Sequence, residues 1–146
     1  MTRAQIVGRV DLNRATYEAL IAHARSDFPY EVCGLLAAAD GRGIRHYAIP
    51  NAARSITFYS MDPTALYHAM REIDDDLLAI YHSHTHTEAF PSQTDVRLAA
   101  YPEAVYLIVS LQDADEPVIR AFDIVDGWIT ERTVYVDGEE APVGRR

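Results

Sequence analysis

Cysteine is nearly missing from this chain. Cys33 is the only one among 146 residues, so no internal disulfide framework can staple the fold. Stability must come from a buried core, and a lone thiol fits a reducing compartment. Uninterrupted apolar runs are short, none near the ~18 residues that a bilayer span requires, and no apolar stretch follows Met1-Thr2-Arg3. The expectation is a cytoplasmic protein with no membrane partner. Clustered Lys and Arg are also lacking, and the formal net charge is -9, which argues against a surface that tracks phosphates. Nucleic acid is therefore not an expected partner. The acids bunch at Asp74-Asp75-Asp76, Asp113 to Glu116 and Asp137 to Glu140, a pattern of solvated turns. With no internal repeat and no break in composition, we expect one domain over residues 1–137 and a disordered tail over 138–146.

What is present, 49% hydrophobic and 24% charged residues, suits one globular core. Periodicity predicts a short strand over Ile6–Val10, then a helix from an N-cap within Asp11–Asn13 to about Ala24. Its inward stripe is Tyr17, Leu20, Ile21 and Ala24, with His23 at the surface. Val32–Ala39 reads as an apolar strand opened at Gly34, turning through Asp40-Gly41-Arg42-Gly43 into Ile44–Ile49. After a loop at Asn51–Ser55, a strand is expected over Ile56–Ser60. A helix follows from Asp62-Pro63 with Leu66, Met70 and Ile73 inward, stopped by the three acids at its end. An apolar strand from Leu77, a helix from Ser92 to about Ala100, a strand over Val105–Ser110 and a hairpin of Val118–Val125 with Trp128–Val136 complete the reading. The fold class is α/β, a mixed and mostly antiparallel sheet flanked by helices.

The chemistry concentrates in Ile80 to Asp95, IYHSHTHTEAFPSQTD. His82 and His84 end an apolar strand, and residues two apart on a strand project from one face, so both imidazoles can aim at one point. Pro91-Ser92 reads as a helix start that puts the Asp95 carboxylate in the first turn. Two imidazole nitrogens and a carboxylate oxygen are the three-ligand set of a catalytic zinc with its fourth position open. Ser92-Gln93-Thr94-Asp95 equally fits a capping box, in which Asp95 bonds back to the helix start. His86 could complete a three-histidine set instead, although the chain is polar and loop-like by that point. Cys33 invites a nucleophile reading, but it lies in an apolar strand, where a thiol behaves as a small hydrophobe.

The residues His82-Ser83-His84, the ten-residue gap to Asp95 and Pro91-Ser92 before it resemble the JAMM signature of MPN-type metallopeptidases. Pro29 to Leu36, PYEVCGLL, resembles the segment that carries that family's catalytic glutamate, and Phe58 to Pro63 its strand-to-helix junction. Within the family, the short length and the wording of the motif are most similar to the Mec-type CysO-cysteine peptidases. One departure is Thr85, where a proline commonly follows the second histidine.

The resemblance implies a JAMM/MPN-like, cytidine-deaminase-like domain with one zinc ion per chain, held by His82, His84 and Asp95. It implies Glu31 as general base, taking a proton from the attacking water and handing it to the leaving amine, and Ser92 as a support for the tetrahedral oxyanion. The implied substrate is the extended C-terminal tail of a ubiquitin-like sulfur-carrier protein of the CysO or ThiS kind, from which cysteine is released. Trimming of a carrier to expose its terminal glycine presents the same amide and stays open, as does a homodimer. A non-catalytic MPN scaffold would usually lack the four residues present here.

Overall fold

The computed structural model describes residues 4–39, 41 and 43–144. In chain order the elements are β1 (Gln5–Leu12), α1 (Arg14–Ser26), β2 (Cys33–Ala39), β3 (Gly43–Ile49), α2 (Pro63–Ile73), β4 (Leu77–His84), α3 (Gln93–Leu98), β5 (Val105–Ser110), β6 (Val118–Val125), β7 (Trp128–Val136) and β8 (Glu139–Glu140). All eight strands join one sheet in the order β1-β7-β6-β5-β4-β2-β3, with β8 added to the end of β7. The β1–β7 and β4–β5 pairs are parallel and the others antiparallel, as a mixed, mostly antiparallel sheet requires.

The sheet carries a core on each face because its central strands alternate between two apolar sets. Leu36, Ala79, Tyr81, Leu107 and Val109 pack with Tyr17, Leu20 and Ala24 of α1. Leu35, Ile80, Tyr106, Ile108 and Phe122 pack with Ala69 and Ile73 of α2. Every side chain of β5 is buried, the mark of a strand covered on both faces. Asn13 caps α1, its side chain accepting from the Thr16 N–H at 2.7 Å, and Asp62 caps α2 ahead of Pro63. The acids at 74–76 form a single 3-10 turn after α2, with Asp74 at φ 55 breaking the helix.

Several expected boundaries move. β1 is longer than Ile6–Val10 because it pairs with β7 along its length, around an irregularity between Ile6 and Arg9 where Gly8 takes φ 84. β2 is not opened at Gly34, which pairs with both Ala48 and Tyr81. Glycine is needed there for closeness: a Cβ would collide with the Tyr81 ring and the Tyr47 carbonyl. Asp40 and Arg42 of the expected hairpin turn lie outside the described residues. The expected strand Ile56–Ser60 is absent. Asn51 takes over that segment's backbone bonding, accepting from Ser60 N–H at 3.0 Å and donating to the Phe58 carbonyl at 3.3 Å. Helix α3 stops at Leu98 rather than near Ala100, where the Tyr106 hydroxyl accepts from the Ala100 and Tyr101 N–H groups instead. The expected tail begins differently as well. Glu139–Glu140 pairs with Tyr135–Val136, and Ala141 is buried. Among the described residues no helix is long and apolar enough to cross a membrane.

Candidate metal centre

The site forms at the C-terminal end of β4, a position set by strand pairing. β4 lies between β2 and β5, so the ends of these strands hold His82 and His84 in a rigid frame. His84 is fixed twice more. Its carbonyl accepts from the Leu111 N–H at 3.0 Å, and its Nδ1 lies 2.8 Å from the Glu88 carbonyl. Because a carbonyl only accepts, Nδ1 carries the hydrogen and the Nε2 lone pair faces the site.

Asp95 arrives from α3. Ser92 caps that helix by accepting from the Asp95 N–H at 3.0 Å, and Asp95 Oδ2 accepts in return from the Ser92 N–H at 2.9 Å. The capping box and the ligand position are thus one arrangement: the cap turns the carboxylate toward the histidines. His82 Nε2, His84 Nε2 and Asp95 Oδ2 form a triangle with sides of 3.1, 3.1 and 3.0 Å. Both histidines are buried.

Protein groups alone leave this triangle in conflict. A neutral His84 presents a lone pair to a carboxylate oxygen and to a second imidazole nitrogen, so a positive charge has to sit among them. Bonds of ~2.0 Å at tetrahedral angles place ligand atoms about 3.3 Å apart, close to the observed sides, and the nitrogen and oxygen donors suit zinc. These three residues are the group that can hold a metal ion among the described residues. The electrostatics agree. Burial works against an ionised Asp95, but the two imidazoles facing it, which favour the carboxylate once they carry a positive charge, outweigh it and hold the carboxyl far below its usual range. Burial likewise opposes charge on His84, and the Asp95 bond reverses the balance and raises its pKa. His82 remains lowered because burial dominates there. Tyr59 stacks on the His82 ring at 4.6 Å between centroids, closing that side.

Glu31 lies two residues before the start of β2 at Cys33. The β2–β4 register pairs Cys33 with His82, which carries Glu31 to the neighbourhood of His84. Its N–H donates to the Ser55 carbonyl at 2.8 Å and its carbonyl accepts from Asn51 Nδ2 at 3.0 Å. The carboxyl is buried, Oε1 has no hydrogen-bond partner among the described residues, and burial raises its pKa to about 7, with His84 opposing and Asp95 assisting. A carboxyl of this kind exchanges protons near neutrality.

The other candidates separate cleanly. Cys33 is fully buried, its thiol donates to the Ile49 carbonyl at 3.3 Å, and burial pushes it up to about 12. A thiol so placed is no nucleophile. His86 points away from the triangle: it is exposed, packs on Phe28 at 5.4 Å and has Nδ1 2.9 Å from the Thr85 hydroxyl. Asn51, Tyr59 and the Glu88 carbonyl were not singled out in the sequence. Each acts on another residue of the site through space, and no local pattern announces that.

Beside Asp95 lies a groove of about 410 Å³, with Phe58, Tyr59, Met61, Thr94, Leu98 and Tyr101 among its walls. Phe58 and Leu98 are exposed large apolar side chains at its rim.

Comparison with known proteins identifies the family. Residues 13–125 match the family of prokaryotic homologs of the JAB domain. The chain is 46% identical over 136 residues to the CysO-cysteine peptidase of Mycobacterium tuberculosis, covering 90% of each. It is 35% identical over 112 residues to the Desampylase of Haloferax volcanii, covering 70% of this chain and 81% of that one. The solution structure of a Desulfitobacterium hafniense protein superposes with a TM-score of 0.76 at 34% identity, covering 92% of this chain and 94% of that one.

Proposed function

Taking as premise that this chain belongs to the prokaryotic JAB family, we propose that it is a zinc-dependent amide hydrolase that releases cysteine from the C-terminus of a small ubiquitin-like sulfur carrier. The observation that carries the reading is the triangle of two imidazole nitrogens and one carboxylate oxygen near a buried, electrostatically coupled Glu31. His82, His84 and Asp95 would hold one metal ion per chain. Such an ion would supply Lewis-acid chemistry, polarisation of the scissile carbonyl and a water pKa lowered to ~7.

The protein's own residues do the rest. Glu31 takes the proton of the attacking water and returns it to the departing amine, a task suited to a carboxyl that titrates near neutrality. The Ser92 Oγ accepts from a backbone N–H, so its hydroxyl hydrogen remains to be given to the oxyanion. The groove between Phe58 and Leu98 receives the extended carrier tail, its apolar walls suiting the last side chains before the terminal glycines. The reading places the activity in the cytoplasm, where a free thiol such as Cys33 stays reduced.

The deciding experiment incubates the metal-loaded protein with a carrier–cysteine adduct and weighs the products. Release of one cysteine and an intact carrier supports the reading. A carrier shortened by further residues supports trimming instead, and no cleavage by a protein carrying its metal removes the reading.

A further inference from the structure

Any amine released by this chemistry leaves beside Glu31. That residue ends a loop whose two aromatic side chains each support a nitrogen-bearing group from elsewhere in the chain. The His86 ring packs on Phe28, and the Arg54 guanidinium lies 4.6 Å from the centre of the Tyr30 ring. The segment carrying Arg54 is tied to the same corner. The Ser55 carbonyl accepts from the Glu31 N–H at 2.8 Å, and the Ile56 carbonyl accepts from the Thr85 hydroxyl at 3.3 Å. The tail groove lies further on, where Phe58 to Met61 face Thr94, Asp95 and Leu98.

Arg54 is held rather than dangling. Its N–H donates to the Asn51 carbonyl at 3.2 Å, and its backbone sits at φ 45, a conformation non-glycine residues seldom adopt. Its side chain is exposed, and among the described residues it has no carboxylate partner.

We propose that Arg54 receives a free α-carboxylate on the leaving residue, so that the preferred substrate is a carrier ending in a single α-amino acid joined through its α-amine. The inference rests on the hydrolase reading and narrows its substrate. An α-carboxylate is two bonds from the amine nitrogen, so the group that recognises it must stand beside the group that protonates that amine. A guanidinium stacked on an aromatic face keeps its N–H edge open for two carboxylate oxygens. A lysine side chain released from a protein conjugate has no carboxylate at that distance, and neither does a carrier extended by several residues.

The test uses two carriers that differ only in their last group, one ending in cysteine and one in cysteinamide. The metal-loaded wild type cleaves the free acid with a kcat/KM about ten- to a hundredfold higher, the range of one charge-assisted contact. The ratio collapses toward one in Arg54→Gln and is intermediate in Arg54→Lys. Absence of a wild-type preference, or a preference that Arg54→Gln leaves in place, overturns the anchor while the hydrolase reading stands. A metal-loaded wild type that cleaves neither carrier overturns both.

Discussion

Strand β4 carries a histidine cluster on each of its faces. On one, the Tyr81 hydroxyl lies 2.6 Å from His23 Nδ1 and 2.6 Å from His46 Nε2. On the other, His82 Nε2, His84 Nε2 and Asp95 Oδ2 lie 3.0 to 3.1 Å apart. Distances alone do not distinguish them, but the inventory of hydrogens does. The phenol gives its hydrogen to one imidazole and accepts from the N–H of the other, and burial lowers the pKa of both His23 and His46 while raising that of Tyr81. That cluster is complete when neutral. The second is complete only with a positive charge among its atoms, a proton on His84 or a metal ion, because the Glu88 carbonyl claims the only hydrogen of a neutral His84. Converging polar groups mark a ligand site only when their donors and acceptors fail to match.

The comparison can be broken most severely at Glu31. Glu31→Gln keeps the shape and removes the proton acceptor, so kcat falls by about 10²–10⁴ while metal content is retained; comparing turnover and metal per chain in the same preparation checks both halves. The pH profile follows from the same group. A base works only when ionised, so kcat/KM falls as pH drops through its pKa, about 7 in the protein alone. A cation seated nearby favours the carboxylate, so the acid limb of the loaded enzyme lies below that value.

Ser92→Ala comes next. Loss of an oxyanion donor costs up to ~10²–10³ in turnover, and loss of the cap about 1 kcal/mol in stability. Turnover of the folded, metal-loaded variant and its denaturant midpoint separate the two contributions, and unchanged turnover removes Ser92 from the chemistry.

The quieter face responds in stability alone. Gly34→Ala drives a methyl group into the Tyr81 ring and costs ~1–3 kcal/mol. Tyr81→Phe leaves His23 and His46 without their shared hydroxyl and costs ~1 kcal/mol. Denaturant titration measures both, and hydrolysis by the folded fraction stays near wild type for Tyr81→Phe.

The same contrast explains what could be read from the sequence. Strands β5, β6 and β7 match their expected bounds because apolar runs and the Asp126-Gly127 turn are local signals. The spacing of His82, His84 and Asp95 was legible for a related reason: a strand end and a helix start each fix a side chain's direction within a few residues. Glu31, remote in sequence, came from family resemblance, since its burial depends on pairing with β4. His23 was expected at the surface, yet it is half-buried against Tyr81, a partner 58 residues away. Ile56–Ser60 has a strand's composition, but Asn51 supplies its bonds and its Ile56 and Phe58 side chains stay exposed. Residues beyond 137 lack periodicity, and the short β8 forms because the end of β7 offers an unpaired edge.

The most direct measurement is the metal content of the purified protein by elemental analysis, taken with that of two variants chosen from the two faces. The account predicts close to one zinc per chain in wild type and in His46→Ala, and next to none in His84→Ala. Wild-type protein that hydrolyses the adduct without metal, or a metal content that follows His46 rather than His84, contradicts it.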